Sequence, residues 1–266
     1  MSSPSMDAQV AKLKSYLDPI TTRFETVSFI KDDPISIPHA FDDPRDQEIV
    51  GLFAALLAWG RRDIMLRKLE ELCERMTFKP AEFVHGYRPT DRSRIEGFVH
   101  RTFNDADLEG LIMALQSTLN GGSIESFFQS GIDASDPVQS GLEAFSSRLL
   151  DAVPGRPRRM NRHVARPSSG SACKRLNMYL RWMVRGGPVD LDLWTCLDPS
   201  HLMLPLDVHS GTQARHIGLL NRKANDWRSV EELTTACRAM DPDDPCRYDF
   251  ALFGTGSAGE SLVRPG

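Results

Sequence analysis

Residues 168–185 read SSGSACKRLNMYLRWMVR, and residues 204–210 read LPLDVHS. In the first stretch Leu176, Tyr179, Leu180 and Met183 recur at i, i+3, i+4 and i+7, the rhythm of a helix that buries one stripe. At about 100° per residue, Lys174, Met178, Arg181 and Arg185 fall together on the opposite face. The spacing predicts a helix opened by Lys174, its amine clear of the core and two arginines on the same side. Asp207 stands at an N-cap position before VHSGTQARHIGLL. Between the two lies an acidic connector, GGPVDLDLWTCLDPSHLMLP, with room for a short helix at VDLDLW.

Outward from that stretch, helical periods and breaks recur and strand signals are nearly absent. Residues 8–24 read as an amphipathic helix interrupted near Pro19. Residues 45–59 (RDQEIVGLFAALLAW) are the most apolar helix candidate, started by Asp43 and Pro44 and expected at the centre of the core. Gly60 breaks it. Asp63 opens a second helix whose stripe is Leu66, Leu69, Leu72 and Cys73. Shorter helices follow, separated by NDAD, NGGS and DASDP turns. Residues 153–171 turn basic and rich in Pro, Ser and Gly, and read as a loop or hairpin. A capped helix at NDWRSVEELTTACRAM and a last helix at YDFALFGTG, ended by a glycine, complete an all-α chain.

Composition narrows the function. The length, 266 residues, suits one large domain or two modest ones. No run of about 18 apolar residues suggests a membrane span, and MSSPSMDAQVAKLK lacks the apolar core of a signal peptide. Five scattered cysteines without a C-x-x-C point to reduced thiols and away from a zinc ribbon or a cysteine-held cluster. The net charge is −4, yet nine basic residues and no acid lie between Arg156 and Arg185. One face is therefore expected to be basic.

Two motifs lose to plainer readings. GTGSAG at 254–259 matches G-x-G-x-x-G, but no strand precedes it, so it reads as a helix cap and tail. Asp207 and His209 offer two donors to a metal, where a hydrolase needs three or more. A lone Lys is usually a solvated side chain, and a lone Asp before a helix is usually a cap.

Taken together, the Gly170 turn, Lys174 opening a helix and Leu206-Asp207-Val208-His209 resemble the helix–hairpin–helix DNA glycosylase superfamily. The match covers roughly residues 45–256. Lys174 and Asp207 lie 33 positions apart, so the chain looks like a bacterial branch nearest the archaeal 8-oxoguanine glycosylase type. The hairpin departs from the usual L-P-G-x-G, keeping only Gly170. The resemblance implies a two-lobed helical bundle with a cleft between lobes. One lobe would be residues 45–186; the other would be 1–44 with 187–266. It implies Lys174 and Asp207 as catalytic residues and Asp249, Phe253 and Trp59 around an extruded base. DNA contacts would come from Arg61, Arg62, Arg158, Arg159, Arg162, Gly170, Arg175, Arg181 and His209. No catalytic metal or cofactor is implied, only a structural monovalent cation at the hairpin. The implied partner is double-stranded DNA carrying a damaged base, an oxidised purine for this branch, handled by a monomer in the cytoplasm at the nucleoid. Two other readings stay open: a non-catalytic helical nucleic-acid-binding protein, and a metal-dependent hydrolase using Asp207 and His209.

Overall fold

The computed structural model describes residues 6–265. They are predominantly helical, and the only paired strands among them are Val99–His100 and Phe103–Asn104, an antiparallel hairpin of two residues a side. No helix among the described residues is long and apolar enough to cross a membrane. The chain divides into two compact units. The central unit is Ile30–Ser169; the terminal unit joins the residues up to Phe29 with those from Gly170 onward. The boundary expected after residue 186 is thus misplaced, because the lysine helix packs with the chain ends. The first five residues of the expected 1–44 segment lie outside the described residues.

In the central unit, Pro44–Leu56 is the core helix, with every residue from Glu48 to Leu56 buried. Asp43 caps it by accepting from the Arg45 N–H at 2.9 Å, with Pro44 in the first turn. It stops three residues short of Trp59, and Gly60 follows at φ +96°. Buried Glu48 accepts from the backbone N–H groups of Ile124 and Glu125, so this acid inside an apolar helix caps the start of Ile124–Gln129. Arg62–Arg75 buries Met65, Leu69, Leu72 and Cys73, which puts Met65 in the stripe in place of the expected Leu66. Asp105–Leu119 packs on Pro137–Ala152.

In the terminal unit, Met6–Phe24 packs against Tyr248–Ser257, which also packs on Val208–His216. The first helix runs unbroken through Pro19. Of the GTGSAG glycines, Gly259 is the expected cap: it follows the last helix at φ +74°, its N–H donating to the Gly256 carbonyl and the Glu260 N–H to the Thr255 carbonyl. Gly254 and Gly256 lie inside the last helix, and a Cβ on each would sit 2.4 Å from Phe24 Cγ and 2.9 Å from His209 Cβ, respectively. Their missing side chains let two helices approach the last one closely. The connector forms no helix at VDLDLW. Its Leu191, Leu193 and Trp194 N–H groups donate to the Trp182 and Met183 carbonyls, satisfying the open end of the lysine helix.

Candidate active site

The lysine helix spans Lys174–Val184. Gly170 (φ +75°) turns the chain, Ser171 makes an isolated antiparallel bridge with Asp226, and Cys173 takes a left-handed φ of +47° immediately before Lys174. These conformations aim the first turn of the helix at Asp207. Lys174 Nζ lies 3.8 Å from Asp207 Oδ2, each side chain about a quarter exposed at 24% and 22%. The amine is also 3.4 Å from Met178 Sδ and 5.8 Å from the Phe253 ring centroid.

Asp207 serves two purposes at once. Its Oδ1 accepts from the Ser210 N–H at 3.0 Å, and Ser210 Oγ accepts from the Asp207 N–H at 3.0 Å, forming a reciprocal cap on Val208–His216. That leaves Oδ2 toward the amine. His209, exposed in the first turn of the same helix, sets its ring edge-to-face with Phe253 at 6.0 Å. Lys174, Asp207, His209 and half-buried Phe253 therefore converge, from segments far apart in sequence.

Asp249 lies one turn before Phe253 and is buried. Its Oδ2 accepts from Arg181 Nη1 at 2.5 Å, and its buried Oδ1 has no hydrogen-bond partner. Burial pushes its carboxyl up to about 6. Arg181 and Lys174 oppose that shift, and Asp207 and Asp190 reinforce it. Arg181 does not cancel the burial cost, because it also faces Asp190 at 3.3 Å.

The expected solvent-facing arginines of the lysine helix are a correction. Arg181 and Arg185 are only 3% and 4% exposed. Arg185 bonds Asp190, Asp244 and Glu25. Burial would depress its guanidinium, yet Asp244, Asp190 and Glu25 hold it above its ordinary value. Arg181 is thus a buried structural partner, out of reach of a DNA backbone. Asp190, the centre of this network, lay in the VDLDLW stretch. The signal available was an acidic pair directly following an arginine-bearing helix. Arg175 is half-buried, and burial lowers its guanidinium.

Trp59, Arg61, Arg62, Arg158, Arg159 and Arg162 belong to the central unit. Arg61, Arg62, Arg158 and Arg162 are exposed, Arg61 pairing with Asp63 at 2.9 Å. Arg159 Nε lies 2.8 Å from buried Asp107. The acid-free run 156–185 is therefore no single basic stripe: it crosses both units, and several of its charges are matched by acids from elsewhere. In the Gly170 turn, the Arg166 carbonyl accepts from Ser169 N–H and Oγ–H, and Gly170 is open to solvent. No three His, Cys, Asp or Glu side chains among the described residues converge on a metal position, so Asp207 and His209 lack a third donor. A pocket of about 200 Å³ in the central unit, lined by Thr77, Lys79, Phe83, Arg88 and Arg94 among others, includes none of these residues.

The fold and site define a helical protein of two units with a lysine–carboxylate pair in one of them. Residues 33–258 match the family model described as "Protein of unknown function (DUF2400)", and the chain belongs to that family. No curated protein and no solved structure matches it.

Proposed function

We propose that this protein is a bifunctional DNA glycosylase and AP lyase, acting on a damaged base, with an oxidised purine as the substrate class, on a helix–hairpin–helix glycosylase scaffold. The observation that carries the reading is the 3.8 Å approach of Lys174 Nζ to Asp207 Oδ2 beside an aromatic ring. In this reading the target nucleotide leaves the stack and rests against Phe253. As the C1′–N bond breaks, the base departs with its electron pair and takes a proton. The Asp207 carboxylate stabilises the positive charge left on the sugar. The neutral Lys174 amine bonds C1′, and ring opening gives a Schiff base. Loss of a C2′ proton then expels the 3′-phosphate. Met178 and Phe253 flank the amine on its apolar side, with the Sδ at 3.4 Å and the ring centroid at 5.8 Å, and so fix where it stands relative to Asp207.

The test is borohydride reduction of the protein mixed with a panel of lesion-bearing duplexes. Wild type is expected to give a covalent protein–DNA adduct with one lesion class, and Lys174→Gln none. A variant that nicks as fast as wild type removes the lysine from the mechanism.

A further inference from the structure

We infer that the Val99–Asn104 hairpin is a nucleic-acid contact element, with Arg101 at its tip as a phosphate-binding residue. The choice of duplex DNA as the polyanion rests on the function proposed above; the surface itself rests on geometry. Three segments of the central unit meet around Trp59. His100 Nε2 lies 3.0 Å from the Trp59 carbonyl. A carbonyl only accepts, so that nitrogen carries the proton. The His163 ring lies 4.9 Å from Phe103 and 6.4 Å from Trp59. Arg159 Nη2 donates to Asn104 Oδ1 at 3.1 Å. The 59–62 loop, the hairpin and the 158–163 turn are thereby locked into one surface.

Arg101 stands on that surface over Trp59. Its backbone is left-handed (φ +55°), its side chain is exposed, and its guanidinium lies 5.5 Å over the Trp59 ring. Gly60 makes room for it: a Cβ there would come within 2.9 Å of Arg101 Nη1. No carboxylate among the described residues pairs with Arg101. The nearby acids already have partners, Asp63 with Arg61 and Arg67, and Asp107 with Arg159. Arg62 and Arg158, both exposed, stand in the 59–62 loop and the 158–163 turn that adjoin the hairpin. A guanidinium within cation–π range of an indole and unmatched by a carboxylate keeps its fork of N–H donors available to a pair of phosphate oxygens.

The experiment is anisotropy titration of an undamaged duplex against salt, for wild type, Arg101→Ala and Arg101→Lys. Matched melting temperatures serve as the folding control. Each phosphate contact contributes about 0.9 to the slope of log K against log salt. Arg101→Ala is expected to lower the slope by about one. Arg101→Lys is expected to keep the slope and bind more weakly, because it keeps the charge without the guanidinium's fork of donors. Equal slope and affinity for Arg101→Ala and wild type would overturn the inference, as would a wild type that does not bind duplex at low salt. Adduct trapping on lesion DNA, run in parallel, separates the two claims. A lost slope without trapping leaves this surface standing and ends the glycosylase reading; trapping with an unchanged slope does the reverse.

Discussion

At the scale of single residues, Asp207 must be tested without losing its cap. Asn caps a helix about as well as Asp, so Asp207→Asn is expected to fold normally, bind lesion duplex and release base about 10²–10³-fold more slowly in single turnover. Asp207→Ala would add a stability loss of about 1 kcal/mol, which urea titration would show. Asp249 gives a pH signature. Its carboxyl sits near 6 when folded, against the ordinary 3.8. The folded state therefore holds the extra proton between those values, and stability falls as pH rises through that window. Asp249→Asn is expected to flatten the change in unfolding free energy between about pH 4 and 6. An unaltered profile would show that another group sets it.

At the scale of elements, the last helix is the keystone of the site, since it carries Phe253 and Asp249 and receives both the first helix and the Asp207 helix. Gly254→Ala places a methyl against Phe24 and is expected to cost about 1–3 kcal/mol in unfolding free energy. Gly256→Ala pushes on His209. The atoms met are His209 Cβ, Cα and carbonyl carbon, so the start of the Asp207 helix has to shift, and the variant is expected to slow base release as well as lower the unfolding free energy. The helices themselves were legible from periodicity and from caps such as Asp43, Asp207 and Asp226. The glycine packing was not, since a motif read along one chain does not reveal what lies across from it. The Val99–Asn104 hairpin left no trace for a similar reason. Two residues a side are too few for alternation, and its Arg-Thr tip lacks the Gly or Asn that usually marks such a turn. Arg181 and Arg185 misled because a helical wheel counts a guanidinium as solvent-seeking, and only the fold brings Asp190, Asp244 and Asp249 to it. Lys174 and Asp207 emerged through resemblance; neither stands out by itself.

At the scale of the whole molecule, the terminal unit is held by an ionic centre that ties its distant parts together. Arg185 links Glu25 near the start of the chain, Asp190 in the connector and Asp244 before the last helix. Arg185→Met leaves buried Asp190 with Arg181 alone and takes the cation from part-buried Asp244 and Glu25, and is expected to cost up to about 3 kcal/mol, read as an earlier unfolding midpoint in urea. A variant as stable as wild type would mean that the network breaks even against an apolar core.

The first and last helices pack together although the whole central unit separates them in the chain. On a ribosome adding about 5–20 residues per second, Met6–Phe24 would emerge roughly ten seconds to nearly a minute before its partner. Its apolar stripe, with Leu13 and Leu17, has to wait through that interval while the intervening residues complete their own core. Assembly of the lysine–aspartate centre consequently waits until Tyr248–Ser257 has emerged, and a nascent chain stalled before that helix would carry Lys174 without a finished place to use it.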